Sequence, residues 1–354
     1  MTQAAQLAQY GANNVGLSFK NRIINGDMLI SQRNGTSSVT PTATTFPWPY
    51  NVDRWLTVQT QASRFSVQQN QGSVTPPPGF TTYVGITSLG TTSFGASDVF
   101  LLQQRIEGLN ISDLGWGTAN ASAVTLSFWV RSSLTGTFSG SFNNSADNRS
   151  YVHTYTISAA NTWEYKTITI PGDTTGTWAT DNSAGILVSF SLGVGSTNTG
   201  AAGSWVSGLR LNATGAVNVL GTNGATFQVT GVQFEKGTVA TSYDYLPYTT
   251  EFSLCERYFR VNRDTTGGSS GGSGNLGAFR IDFTGMRTQP TLTVRNASNI
   301  MEIMYVNRYS ISALVNTWVP TSNDIGVELT PSPNFIAGST VVMFSSALNL
   351  NSEL

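Results

Sequence analysis

Charge is what this chain has least of. Only 10% of its 354 residues are Asp, Glu, Lys or Arg, against roughly 25% in ordinary soluble domains. Lysine is almost missing, with Lys20, Lys166 and Lys236 the full set, so arginine carries most of the positive charge. A formal net charge of -1 without a basic run excludes a binder of phosphate backbones, and no nucleic-acid partner is expected. A single cysteine, Cys255, excludes an internal disulfide, and it reads as a small buried hydrophobe. One histidine, His153, and one cysteine cannot supply a zinc ligand set. Neither metal nor cofactor is expected. Apolar runs stop well short of the roughly 20 residues a membrane span needs, so no membrane insertion is expected. The opening MTQAAQLAQYGANNVG lacks the basic and apolar regions of a signal peptide. What remains is an exterior of Ser, Thr, Asn, Gln and Gly, which suits a particle assembled in a cell's cytoplasm and released by lysis.

What the chain does contain is β-pattern. VTLSFWVRS (124–132) alternates, with Val124, Leu126, Phe128 and Val130 on one face. WEYKTITIPG (163–172) follows with Trp163, Tyr165, Ile168 and Ile170, a phase slip near Thr167 that predicts a bulge. ILVSFSLGVG (186–195) and ATFQVTGVQFEKG (225–237) repeat the theme, and no stretch of ten residues shows a 3.6-residue period. The prediction is an all-β protein: a short N-terminal arm (1–20), an antiparallel jelly-roll or β-sandwich domain (21–250), and a second, smaller β-sandwich domain (251–354). Thr250 is predicted to cap a single helical turn in FSLCERYF (252–259). GGSSGGSGN (267–275) reads as a mobile loop. Strands are predicted around 257–263, 276–283, 289–296, 301–308, 310–316, 325–331 and 339–350. The methionines of MEIMYVNR and the apolar Val341–Phe344 run would gain from burial against copies of the same chain.

Longer motifs carry a resemblance. NRIINGDM (21–28), VDRW (52–55), QQRIEG (103–108), LGWGTANASAVTLSFWVRSS (114–133), ANTWEYKTITIPGDTTGTWATDNSAG (160–185), GATFQVTGVQFEKGTVATSYDYLPYTTEFSLCERYF (224–259) and the terminal LNLNSEL resemble tail-fibre-type proteins of tailed bacteriophages over roughly 21–354. The resemblance implies a virion protein with a carbohydrate-binding-module-like jelly roll and a small C-terminal β domain. It implies a homotrimer, and contact with host-surface polysaccharide. The NGDM and FEKG segments also resemble the opening and closing strands of carbohydrate-binding modules, which pair with each other. In those modules a Glu ligating a structural calcium follows NGDF, and Asp-Asp stands in the last strand. Here the positions hold Leu29 and Thr230-Gly231, so the resemblance does not carry the calcium site across.

Catalysis has few candidates. His153 lacks a nominated nucleophile and orienting acid, so no catalytic residue is expected. Glu107, Asp113, Glu164, Asp173 and Asp181 could in principle form the carboxylate pair of a glycan hydrolase. They read more simply as turn residues or arginine partners, Arg105 with Glu107 among them. Sugar binding asks for aromatic faces ringed by polar groups. Aromatics that alternation leaves off the core are Trp48, Tyr50, Trp116, Trp178 and Trp205. These five are the candidate carbohydrate-binding residues, with Trp48 and Trp205 preferred as exposed platforms and Trp116 and Trp178 also readable as anchors of loops.

The expectation is therefore a non-enzymatic virion protein, a tail fibre or similar appendage. It would adhere to glycan through multivalent non-covalent contacts and dock to other virion proteins through residues 1–20. A capsid decoration or head fibre is the alternative, and a glycan depolymerase a third reading.

Overall fold

The structure, a computed structural model, describes residues 20–261, 266–270, 277–282, 284–288, 290–294, 300–302, 307–318, 324–332, 340–343 and 348–353. The predicted arm lies almost wholly outside the described residues. So do most side chains of the C-terminal strands, including the methionines and the Val341–Phe344 run.

Strands dominate. In chain order they are β1 (Tyr50–Val52), β2 (Trp55–Gln59), β3 (Phe65–Gln69), β4 (Val84–Ser88), β5 (Val99–Glu107), β6 (Val124–Ser132) and β7 (Gly136–Asn144). They continue with β8 (Arg149–Ile157), β9 (Glu164–Ile170), β10 (Ala184–Val194), β11 (Thr199–Gly200), β12 (Trp205–Ser207), β13 (Asn212–Ala213) and β14 (Thr226–Lys236). Twelve of them form two antiparallel sheets, β1-β2-β5-β10-β7-β8-β12 and β3-β4-β14-β6-β9. The sheets face each other as a jelly-roll-type sandwich. Period-2 alternation turns Phe128, Val130, Phe227 and Phe234 of one sheet toward Phe100, Phe138, Phe142 and Phe190 of the other. Edge-on ring contacts such as Phe128–Phe190, 5.0 Å between centroids, fill the space between the sheets.

Two local expectations are corrected. The β9 ladder to β6 runs without a register shift from Val124↔Ile170 to Val130↔Glu164, so no bulge forms near Thr167. The inward set is Glu164, Lys166, Ile168 and Ile170, and Tyr165 points outward. Alternation misled because Glu164 and Lys166 take the inward positions at the open end of the sheet, as a 2.6 Å ion pair. The NGDM segment is a run of turns rather than a strand. It still docks on β14: Phe234 donates N–H to Asn21 Oδ1 (3.0 Å), Arg22 donates to Phe234 O (2.9 Å), and Val232 donates to Gly26 O (2.9 Å). A bulge in β14 between Thr230 and Gln233 releases the Val232 N–H for that bond.

Helix α1 (Tyr248–Glu256) begins earlier than the sequence predicted. Thr250 is already inside it, donating its N–H to Pro247 O at 2.9 Å, so proline rather than a threonine cap sets the start. Then come β15 (Phe259–Val261), β16 (Thr266–Ser270), β17 (Gly277–Asp282), β18 (Thr291–Val294), β19 (Ile300–Glu302), β20 (Asn307–Trp318), β21 (Asp324–Ser332), β22 (Thr340–Met343) and β23 (Leu348–Asn351). Strands β16-β17-β21-β20-β19-β22 close into a small barrel, and β15-β23-β18 form a separate sheet. The first part of the Gly-rich stretch is therefore strand, not mobile loop: β22 and β17 flank β16 and supply its backbone partners.

Arginines tie this region to the sandwich. Arg257 forms a two-pronged bond with Glu107 (2.6 and 3.0 Å), and Tyr258 Oη donates to the same carboxylate (2.8 Å). The partner predicted for Glu107, Arg105, is displaced by this fork. Arg54, fully buried, pairs with Glu353 and lies 3.5 Å from the Tyr258 ring centroid. Arg33 reaches Glu353 at 3.2 Å and covers Phe259 at 3.6 Å.

Candidate functional site

An aromatic groove lies on the outer face of the five-stranded sheet. Because β6 turns Phe128 and Val130 inward, it turns Ser127 and Trp129 outward. Tyr165 of β9 is the direct cross-strand partner of Trp129, and their rings stand 5.4 Å apart. This pair makes one wall. The other comes from two loops: Phe80 packs on Tyr243 (5.1 Å) and Tyr243 on Tyr245 (4.8 Å). Tyr245 is held by donating its hydroxyl to Gly79 O at 2.9 Å. Pro78, Gly231, Thr241 and Ser242 complete a space of about 450 Å³. Tyr165 and Tyr245 are 44% and 56% exposed, so both walls present ring surface to solvent. None of the lining side chains is charged at neutral pH, and burial pushes the Tyr243 phenol up, further from ionisation. Chemically the groove offers stacking faces and hydroxyls.

Gly231 explains the missing acid. It has φ +60°, and a Cβ built on it would stand 2.5 Å from the Phe80 ring. An Asp cannot occupy this position while Phe80 forms the groove wall. Thr230 turns its hydroxyl to Thr82 O (2.7 Å) and Asp27 O (3.2 Å), and Leu29 packs against the cluster of Ile24, Ile30, Cys255 and Tyr258. The oxygen-rich cage that calcium requires does not fit these residues. Among the described residues no three His, Cys, Asp or Glu gather as metal ligands.

The five residues nominated from sequence fall into two places. Trp48 and Tyr50 come together in a second groove of about 270 Å³, with Phe46, Pro47, Leu56, Arg105, Thr291, Asn351 and Glu353. Trp116, Trp178 and Trp205 form an edge-on triad at one end of the sandwich, with centroids 4.8, 5.2 and 5.4 Å apart. Trp116 and Trp178 are only 7% exposed, so they anchor their loops to the core and offer no platform. Trp205 is half-buried in edge strand β12 and donates its indole N–H to Pro171 O at 2.7 Å. It too belongs to the triad rather than to a free loop.

The carboxylates nominated for hydrolysis are each engaged elsewhere. Asp173 receives a fork from Arg149 at 2.6 and 2.7 Å, Asp113 an arginine contact from Arg22 at 2.9 Å, and Asp181 a backbone bond from Ser183 at 2.9 Å. Hydrogen bonds from these partners outweigh desolvation at Asp173, and from Lys166 at Glu164, and hold both carboxyls below the usual range. His153 faces the core beside Phe142 and Tyr155, opposite Gly140, which leaves room for its ring. Burial lowers it to about 3.

Trp129 and Tyr165 were absent from the sequence nominations, yet a signal existed. The alternation that buries Phe128 and Val130 exposes Trp129, and an outward Trp in a strand is unusual on a Ser/Thr-rich face. Phe80, Tyr243 and Tyr245 had no comparable signal, because only tertiary folding brings their loops to the sheet.

No family model and no curated protein matches the chain. Among solved structures, the enzymatically active domain of tailspike protein 4 from bacteriophage CBA120 is similar at 13% identity and a TM-score of 0.31, over 56% of this chain. The match spans 22% of that tailspike chain's length. A putative sugar binding protein from Bacteroides thetaiotaomicron gives 12% identity and 0.31, over 62% of this chain and 100% of the other. The family 11 carbohydrate-binding module from Clostridium thermocellum, solved with a mixed-linked tetrasaccharide, gives 16% and 0.28, over 57% and 97%.

Proposed function

We propose that this chain is a glycan-binding component of a tailed-phage virion, acting as a tail fibre or similar appendage. The groove between the Trp129–Tyr165 wall and the Phe80–Tyr243–Tyr245 wall carries the binding half of this reading. Sugar rings present apolar C–H faces that stack on aromatics, while their hydroxyls bond to polar groups on the rim. Thr241 and Ser242, both exposed, supply that rim. With no carboxylate, imidazole or amine in its lining, the groove is suited to holding a glycan rather than cleaving it. The virion half rests on the long sequence motifs that resemble tail-fibre-type proteins. A homotrimer, docked through residues 1–20 and presenting several copies of a weak site, would convert modest contacts into firm attachment.

Two experiments test the halves separately. A glycan array probed with the purified full chain should light up on bacterial surface polysaccharides, and a blank array would remove the binding claim. Immunogold labelling of intact phage should mark the tail; label on the head would favour a capsid decoration, and none on the particle would remove the virion claim.

A further inference from the structure

Beside the Trp129–Tyr165 wall the outer face carries an arginine bonded to neutral groups alone. Among the described residues Arg22, Arg33, Arg54, Arg149 and Arg257 each hold an Asp or Glu. Arg131 holds neither. Its Nε donates to Asn161 O and its Nη1 to Gln228 Oε1, both at 3.0 Å. Glu164, close by in the β9 ladder, points inward and is taken by Lys166 at 2.6 Å. Nη2 and one N–H of Nη1 are therefore left to donate to a ligand. On the glycan-binding reading above, we infer that Arg131 binds the carboxylate of an acidic sugar residue adjoining the one stacked on Trp129.

Strand geometry sets this position. Arg131 stands two residues beyond Trp129 in β6, on the same outward face and about 6.5 Å farther along. Tyr165 faces Trp129 across the ladder, and continuing that register brings Trp163 beside Arg131. Trp163 packs edge-on against Tyr83 (5.5 Å) and donates its indole N–H to Thr75 O (2.9 Å). Tyr83 in turn lies within the field of Arg131. The cation thus continues the aromatic wall toward a second aromatic pair. It is half-buried, over the buried Gln228, so its attraction for an anion is stronger than in open water. A charge-assisted bond from guanidinium to carboxylate is roughly twice as strong as one between neutral groups, which sets an acidic sugar apart from its neutral counterpart.

The test is calorimetric titration of the full chain at low salt with two matched pairs of probes. They are a galacturonic acid trimer with its methyl ester, and sialyllactose with lactose. In at least one pair the acidic member is expected to bind tenfold or more tighter than the neutral one, with the preference shrinking as salt is added. Arg131→Gln should abolish that preference while leaving affinity for the neutral member and the unfolding midpoint unchanged. Arg131→Lys, which keeps the charge without the planar N–H array, should restore part of it. Absence of binding by both acidic probes, no preference in either pair, or a preference that survives Arg131→Gln overturns the inference. Failure of the groove itself reads differently. If neutral probes bind and are lost on Trp129→Ala while Arg131→Gln changes nothing, the groove stands and the Arg131 site falls. If acidic binding depends on Arg131 but not on Trp129, the anion site stands and the stacking groove falls.

Discussion

His153 makes the fold sensitive to acid in a way that can be calculated. It is 3% exposed, and neither ring nitrogen has a hydrogen-bond partner. Burial lowers it from 6.5 to about 3. The folded chain thus keeps a neutral imidazole where the unfolded chain takes up a proton. The sign follows from that difference: stability is unaffected above 6.5 and falls as pH drops from 6.5 toward 3. At pH 5 the cost is about 2 kcal/mol, from roughly 1.4 kcal/mol for each pH unit below 6.5. His153→Phe keeps a ring of similar size beside Phe142 and removes both the titration and the unpartnered nitrogens. Urea unfolding followed by tryptophan fluorescence, at pH 7.5 and pH 5, should show the wild type losing about 2 kcal/mol more than the variant between the two values. At pH 7.5 the variant should be no less stable. Parallel losses in the two proteins would refute the reasoning, since they would mean that His153 is protonated in the fold or reaches solvent.

Three further outcomes follow from other contacts. Burial, with added repulsion from Asp27 and Asp244, raises Glu251 to about 7, so its contribution is intact below 4.5 and lost as pH rises toward 7. Glu251→Gln should therefore recover about 3 kcal/mol at pH 8 relative to pH 4.5, read as a change in the slope of urea midpoint against pH. Glu353→Ala should cost about 3–5 kcal/mol by leaving the buried Arg54 unpaired, with a clearly smaller loss for Glu353→Gln; calorimetric unfolding checks both. Gly231→Ala forces a side chain into φ +60° and against Phe80, so it should destabilise by about 1–3 kcal/mol and weaken neutral-glycan binding.

Much of the sandwich was legible in the sequence because one side of each strand must be apolar. The 124–132 strand was predicted residue for residue, and β10 and β14 lay within two residues of their predicted ends. Legibility failed where something other than side-chain alternation decided the outcome. Glu164 and Lys166 hold inward positions as a pair and hid the phase of β9. Thr266–Ser270 is strand because of its neighbours, despite a composition that argues for loop. The docking of Arg257 on Glu107 joins residues 150 apart in sequence, beyond the reach of local pattern. The candidate site divides the same way. Trp48 and Tyr50 line one groove, Tyr50 from strand β1 rather than from a loop, whereas the larger groove depends on Phe80, Tyr243 and Tyr245 arriving from distant loops.

On the proposed function, the Trp129–Tyr165 groove holds a sugar. Its most direct measurement is calorimetric titration of wild type and Trp129→Ala with the best neutral oligosaccharide from the glycan array. Loss of one stacking wall should weaken binding by about 2 kcal/mol, roughly 30-fold, with an unchanged unfolding midpoint because Trp129 faces outward from the sheet. Equal affinity in the two proteins would contradict the account and move the glycan site off this face.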